Sequence, residues 1–299
     1  MKQWYRDYGL QARMILTMFL LAALYLFFLA VILTFGGGLT YILIIIMLFV
    51  LFLQFFFSDR FVLWSTGGRI VTEQEEPRLH ETIARLCAIA DLPKPKVAIV
   101  ESNIPNAFAT GRSKNSAVVA VTTSLKQKLS QPEIEAVLAH ELSHVKNRDM
   151  LVITIASFLS TIAALLVRNM IFFGMWGGGG GRDRDRGAGA AIIIFVVSII
   201  VWIISFLLIR ALSRYREFAA DRGSAIITGQ PSHLASALMA ISGVMEQVPS
   251  QDLREVEGMN AFFIVPAISG GSIMNLFSTH PTIEARIRAL SEMERRMEF

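Results

Sequence analysis

Hydrophobic residues along this chain fall into four long blocks, and between and after the blocks the pattern becomes that of a soluble domain. Residues 15–35 and 39–57 contain no charged side chain. At about 1.5 Å per residue each reaches across roughly 30 Å of hydrocarbon, so each predicts a spanning helix. Gly36, Gly37 and Gly38 make the tight connection between them. The first block is long and is not followed by a convincing cleavage site, which predicts a retained anchor rather than a removable signal peptide. Lys2, Arg6 and Arg13 precede the first block and Arg60 and Arg69 follow the second, while the glycine turn is uncharged. The positive-inside rule then puts both outer ends in the cytoplasm.

A second apolar pair covers residues 150–167 and 190–209 and predicts a second hairpin. Residues 174–189 between them are rich in glycine and carry Arg182, Asp183, Arg184, Asp185 and Arg186, the composition of a flexible solvated loop. Three arginines in an outer loop run against the positive-inside expectation.

The remaining sequence alternates in soluble fashion. Residues 77–90 carry Leu79, Ile83 and Leu86 at helical spacing, Pro93 and Pro95 break the pattern, and residues 97–100 and 117–123 are β-branched runs. The second run offers either a free edge for an extended peptide or an interior strand. Ser130 with Glu133 three residues on is a capping-box start for another helix. Helical patterns return at 212–228, 232–246 and about 281–297. Residues 258–277, with Phe262, Phe263 and Ile264 together, read either as a loop over a cleft or membrane, or as a packed core turn.

Composition sharpens this picture. Apolar residues make up 54% of the 299 and charged residues 17%, against roughly 45–50% and about 25% for an ordinary soluble domain. The net charge of +4 is modest and no basic run interleaved with aromatics suggests a nucleic-acid partner. The single cysteine, Cys87, lies beside the stripe of the 77–90 helix, which excludes an intramolecular disulfide and predicts a buried thiol.

The chemistry sits on the helix that begins at Ser130. His140, Glu141, Leu142, Ser143 and His144 place two imidazoles four apart on one face, the spacing of two zinc ligands. Glu141 then stands beside the metal without binding it, able to take the proton of water that the ion acidifies toward a pKa of about 7. Ala136, Val137, Leu138, Ala139 and Val145 surround the histidines with residues of buried type, and a metal gives buried imidazoles their partner. Hydrolytic zinc sites keep three protein ligands. Glu217, on a helix continuing from the fourth apolar block, is the expected third, and Asp221 one turn on is placed to orient a ligand histidine, His140 for preference. Since His144 and Glu217 must meet, the chain between them returns to the side it left, which predicts a cytoplasmic site close to the membrane. A non-catalytic, chaperone-like membrane protein with a structural zinc is the alternative.

In these residues the chain resembles the HtpX family of bacterial membrane-bound zinc metalloproteases, relatives of the CaaX prenyl proteases. The resemblance covers nearly the whole chain, including the run from Glu217 to Asp221. It implies a gluzincin-type catalytic domain, one zinc ion per chain, residence in the bacterial inner (plasma) membrane, and cleavage of misfolded or damaged membrane proteins under stress, alongside an ATP-dependent membrane protease. It also implies that Asn106 and His280 face the substrate, as donors able to hold an oxyanion; without it they read as a turn residue and a helix cap. His80 and His233 read as structural. The expected fold is a mostly α integral-membrane protein with four hydrophobic helices in two hairpins and a cytoplasmic α+β catalytic domain with a small sheet. Residues 1–58 form the first hairpin, 59–149 the first part of the catalytic domain, 150–210 the second hairpin and 211–299 the second part.

Overall fold

A computed structural model describes residues 8–35, 38–176, 184–245 and 280–297. In chain order the elements are α1 (Tyr8–Phe35), α2 (Gly38–Phe56), α3 (Ser58–Thr66), β1 (Arg69–Ile70), α4 (Pro77–Ala90), β2 (Lys96–Val100), β3 (Ala107–Thr110), β4 (Val118–Thr122), α5 (Thr123–Lys128), α6 (Gln131–Asn147), α7 (Asp149–Trp176), α8 (Arg184–Thr228), α9 (Pro231–Met245) and α10 (Ile283–Met297). They gather into two compact units. One combines Tyr8–Phe55 with Val152–Leu212; the other combines Phe56–Leu151 with the described residues from Ser213 onward.

The first unit is helical and apolar. Leu21, Tyr25, Phe28 and Ile32 form one stripe of α1 and pack with Ile162, Ala163 and Leu166 of α7 and Val201 of α8. The buried Tyr25 hydroxyl donates to the Ala156 carbonyl, so the phenol is not left unsatisfied. Elsewhere on α1, Ile15, Phe19, Leu26 and Leu33 are 62–69% exposed, a surface that hydrocarbon accepts and water does not. Among the described residues three helical stretches are long and apolar enough to cross a membrane: Tyr8–Phe35, Asp149–Arg168 and Ile192–Thr228. The block expected at 39–57 is the 19-residue helix α2. Of the loop expected over 174–189, residues 174–176 belong to α7 and 184–189 to α8, and the rest lies outside the described residues. Helices already nucleated by long apolar stretches extend into weaker sequence at little cost.

In the second unit, α4 forms because Pro77 opens it and Leu79, Ile83, Leu86, Cys87 and Ala90 recur on one face; Asp91 ends it in the left-handed conformation. Ile83 and Leu86 are fully buried, each contributing about 1.5–3 kcal/mol. The sheet has the order β1-β2-β4-β3, with β2 and β4 parallel and the outer pairs antiparallel. The run at 117–123 is therefore an interior strand. β3 takes the edge, with Phe108 opposite Ala120. Strand alternation sends Val97, Ile99, Val119 and Val121 into the main core with α4, α6 and α9, and Ala98, Val100, Val118 and Ala120 into a smaller cluster with Val62 and Phe108.

The helix α6 starts as its capping box requires: Glu133 accepts from the Ser130 N–H and hydroxyl, both at 2.8 Å, and its other oxygen accepts from the Ser236 hydroxyl of α9. Helix α8 crosses α6 closely at Gly223, where an added Cβ would lie 2.2 Å from the Ser143 hydroxyl oxygen. One residue on, the Ser224 hydroxyl donates to the Ala136 carbonyl at 2.7 Å. The segment at 258–277 lies outside the described residues.

Candidate active site and metal centre

The crossing of α6 and α8 brings His140, His144 and Glu217 together. The Nε2 atoms of His140 and His144 are 3.1 Å apart. Glu217 Oε2 lies 3.6 Å from His140 Nε2, and Oε1 lies 3.6 Å from His144 Nε2. His140 and Glu217 are buried, and His144 is partly so.

Each histidine is turned by an aspartate at its far nitrogen. His140 Nδ1 lies 2.9 Å from Asp221 Oδ1, and His144 Nδ1 lies 2.6 Å from Asp149 Oδ2. Each aspartate is in turn held by an arginine. Arg286 of α10 donates from Nε to Asp221 Oδ2 at 2.9 Å and from Nη2 to Oδ1 at 2.6 Å, while Arg216 pairs with Asp149 Oδ1. A carboxylate at Nδ1 places the proton there and leaves the Nε2 lone pair facing the other histidine and Glu217.

These residues fit a metal ion. Ligand atoms bonded at about 2.0–2.1 Å in a tetrahedron are about 3.3 Å apart; the two Nε2 atoms are near that separation, and each has a Glu217 oxygen, a different one in each case, at 3.6 Å. Buried Glu217 Oε2 accepts no hydrogen bond from the described residues, so it has lone pairs to give. The electrostatics agree. Burial opposes charge on His140, yet the Asp221 and Glu217 carboxylates outweigh it and push the imidazole up to about 9. Burial also opposes charge on Glu217, and the surrounding His280, His140 and His144 hold its carboxyl well below the ordinary range all the same. His144 goes the other way: burial, with His140 adding to it, pushes its imidazole down, so a neutral ring nitrogen is favoured there.

Glu141 follows His140, is buried, and accepts from the Ala109 N–H on β3. Burial raises its carboxyl above the usual range, with Glu217 adding to the effect and the two histidines opposing it, a shift that suits a base working near neutral pH. His280 is brought to the cluster, its Nδ1 3.4 Å from Glu217 Oε1. Asn106 is placed at the head of β3, buried; its N–H donates to Thr122 Oγ1 at 2.8 Å and its carbonyl accepts from the Thr122 N–H at 2.9 Å. His80 binds the Val71 carbonyl at 3.1 Å, away from this centre.

Residues 73–294 match the sequence profile of Peptidase family M48. The chain belongs to peptidase family M48. This M48 chain is 63% identical over 296 residues to the Protease HtpX homolog 2 of Methanosarcina mazei, covering 99% of each. It is 56% identical over 293 residues to the Protease HtpX homolog of Moorella thermoacetica, covering 98% of this chain and 97% of the relative. Its fold is similar to the crystal structure of S. mikatae Ste24p, with a TM-score of 0.55 and 18% identity, covering 94% of this chain and 66% of that one. The M48 chain is a membrane metalloprotease, which sets aside the non-catalytic alternative.

Three residues of this M48 site escape a reading of the sequence: Asp149, Arg216 and Arg286. The one available signal is at Arg286, which falls between Ile283 and Leu290 on the apolar stripe of α10 and is 1% exposed. An arginine at a core position announces a buried carboxylate partner.

Proposed function

We propose that this M48 metalloprotease is a zinc endopeptidase that cleaves misfolded or damaged membrane proteins on the cytoplasmic side of the cell's inner membrane. The observation that carries the proposal is the convergence of His140, His144 and Glu217 beside buried Glu141. Those three hold one zinc ion per chain. The ion, when bound, supplies a Lewis acid that polarises the peptide carbonyl and acidifies water. Glu141 takes the proton from the attacking water and returns it to the leaving nitrogen. His280 and Asn106 donate toward the carbonyl oxygen as it gains negative charge. Asp221 fixes the tautomer of His140.

The substrate lies extended along β3. The bond from the Thr122 N–H to the Asn106 carbonyl sets the alternation, so Ala107 and Ala109 turn their main-chain groups away from β4. The Ala109 N–H reaches Glu141, which supports a peptide added at this edge passing the base. Main-chain pairing of that kind tolerates many sequences, as quality control of damaged proteins requires.

The basic residues Lys2, Arg6, Arg13, Arg60 and Arg69 flanking the first two apolar blocks support a cytoplasmic assignment, and the meeting of His144 with Glu217 supports a return of the chain between them to the side it left. Substrates come from the same bilayer, and an ATP-dependent membrane protease shares the task.

The test is Glu141→Gln in the full chain purified in detergent. The variant is expected to retain one zinc per chain and lose cleavage of a model membrane protein, and wild-type cleavage is expected to stop with a chelator. Cleavage by the variant at the wild-type rate would remove Glu141 from the reaction.

A further inference from the structure

We propose that Asp149, gripped by Arg216, is the positioning residue for His144, so that the first residue of α7 sets the orientation of the second metal ligand. The inference rests on the ligand assignment above. His144 Nδ1 lies 2.6 Å from Asp149 Oδ2, the same relationship that Asp221 has with His140 on the other side of the cluster. Asp149 is 6% exposed and Arg216 5%. A carboxylate so far from water is disfavoured unless both oxygens are engaged, and here one faces His144 and the other Arg216. Arg216 also donates to the Asn147 carbonyl at 3.0 Å, so one guanidinium spans the end of α6 and the start of α7. It immediately precedes Glu217 in the chain.

The backbone between the two helices is shaped for this contact. Arg148 ends α6 at φ 57, the left-handed conformation that commonly closes a helix and that reverses the chain into α7 here. That single residue separates the two helices, and the aspartate that follows turns back to the histidine five positions earlier. An acidic residue in the first turn of α7 also suits the helix dipole. A dipole or ion-pair role alone would affect stability and leave the metal untouched.

The test is zinc affinity, measured by competition with a chromophoric chelator, together with melting temperature, on full-length Asp149→Ala, Asp149→Asn and Arg216→Gln in detergent. Glu135→Gln serves as control, because Glu135 shares α6 with His144 and the substitution breaks only its peripheral pair with Arg85 of α4. Asp149→Ala is expected to weaken zinc binding about 10- to 100-fold, Asp149→Asn less because its amide oxygen still accepts from Nδ1, and the control not at all. A change of less than threefold in Asp149→Ala overturns the proposal whatever the melting temperature does. Should that variant not fold, less than threefold in both Asp149→Asn and Arg216→Gln overturns it. His144→Ala separates the two claims: zinc binding unchanged by that substitution would refute the ligand assignment itself.

Discussion

Arg286 holds Asp221 through two parallel hydrogen bonds, at 2.9 and 2.6 Å, and both side chains are fully buried. Burial works to raise the Asp221 carboxyl, and the guanidinium outweighs it, keeping the aspartate ionised where it faces His140. A third guanidinium nitrogen lies 3.5 Å from Glu217 Oε2. One arginine on the last helix thus balances the two carboxylates that α8 brings to the centre.

Replacing Arg286 by methionine keeps much of its volume and strands Asp221 as an uncompensated buried charge. Breaking one side of a buried pair costs about 3–5 kcal/mol. The variant is expected to unfold at lower denaturant concentration and to retain less zinc after dialysis. Arg286→Lys should rescue only part, because an ammonium does not reproduce the bidentate fork. Unchanged stability in Arg286→Met would mean that Asp221 is neutral in the folded protein.

Gly223 is the second point of leverage. A Cβ there would meet Ser143 Oγ at 2.2 Å and Ser143 Cβ at 2.7 Å. Gly223→Ala gains about 1 kcal/mol of helix propensity, yet overpacking of this kind typically costs about 1–3 kcal/mol. The steric effect wins, and α8 must shift along with Glu217 and Asp221. Lower stability and proteolytic activity are expected. Ser143→Gly should restore more of the loss than Ser143→Ala, since alanine leaves the closer carbon in place.

What the sequence reveals follows from periodicity. Helices α4 and α6 carry apolar stripes and clear starts, so the placing of His140 and His144 one turn apart on a helix is legible in the residues alone. β3 is hidden because Ala107–Thr110 is short and holds one β-branched residue, Thr110, where β2 holds three and β4 four. Asp149 is hidden for another reason: the helical repeat does not carry through Arg148, so five-residue spacing from His144 suggests no contact. Arg216 reads as one of several charges near Glu217, and only the crossing of α8 over α6 buries it.

Cys87 offers a check on the core of the second unit. Burial pushes its thiol up to about 11, so at pH 8 roughly a thousandth is thiolate, against about a quarter for an ordinary cysteine near 8.5. Native protein is expected to resist thiol reagents at pH 8 and to label on unfolding. Because the folded-state pKa is raised, the contribution to stability is complete below about 8.5 and is lost as pH rises through about 11. Fast labelling of native protein would show that α4 opens locally.

Metal removal should be visible in stability as well as in activity. Without a cation, the cluster sets the carboxylates of Glu141, Glu217 and Asp221 together with Arg286 as the nearest fixed positive charge. A ligand that binds only the folded state stabilises it by about 2.7 kcal/mol at one hundred times its dissociation constant. Chelation is therefore expected to lower the melting temperature, and added zinc to restore it in a concentration-dependent way. Glu217→Gln should melt at the same temperature with and without zinc, because the neutral amide is a poor third ligand. A wild-type melting temperature indifferent to chelator and zinc alike would mean that the folded protein does not hold a metal at this centre.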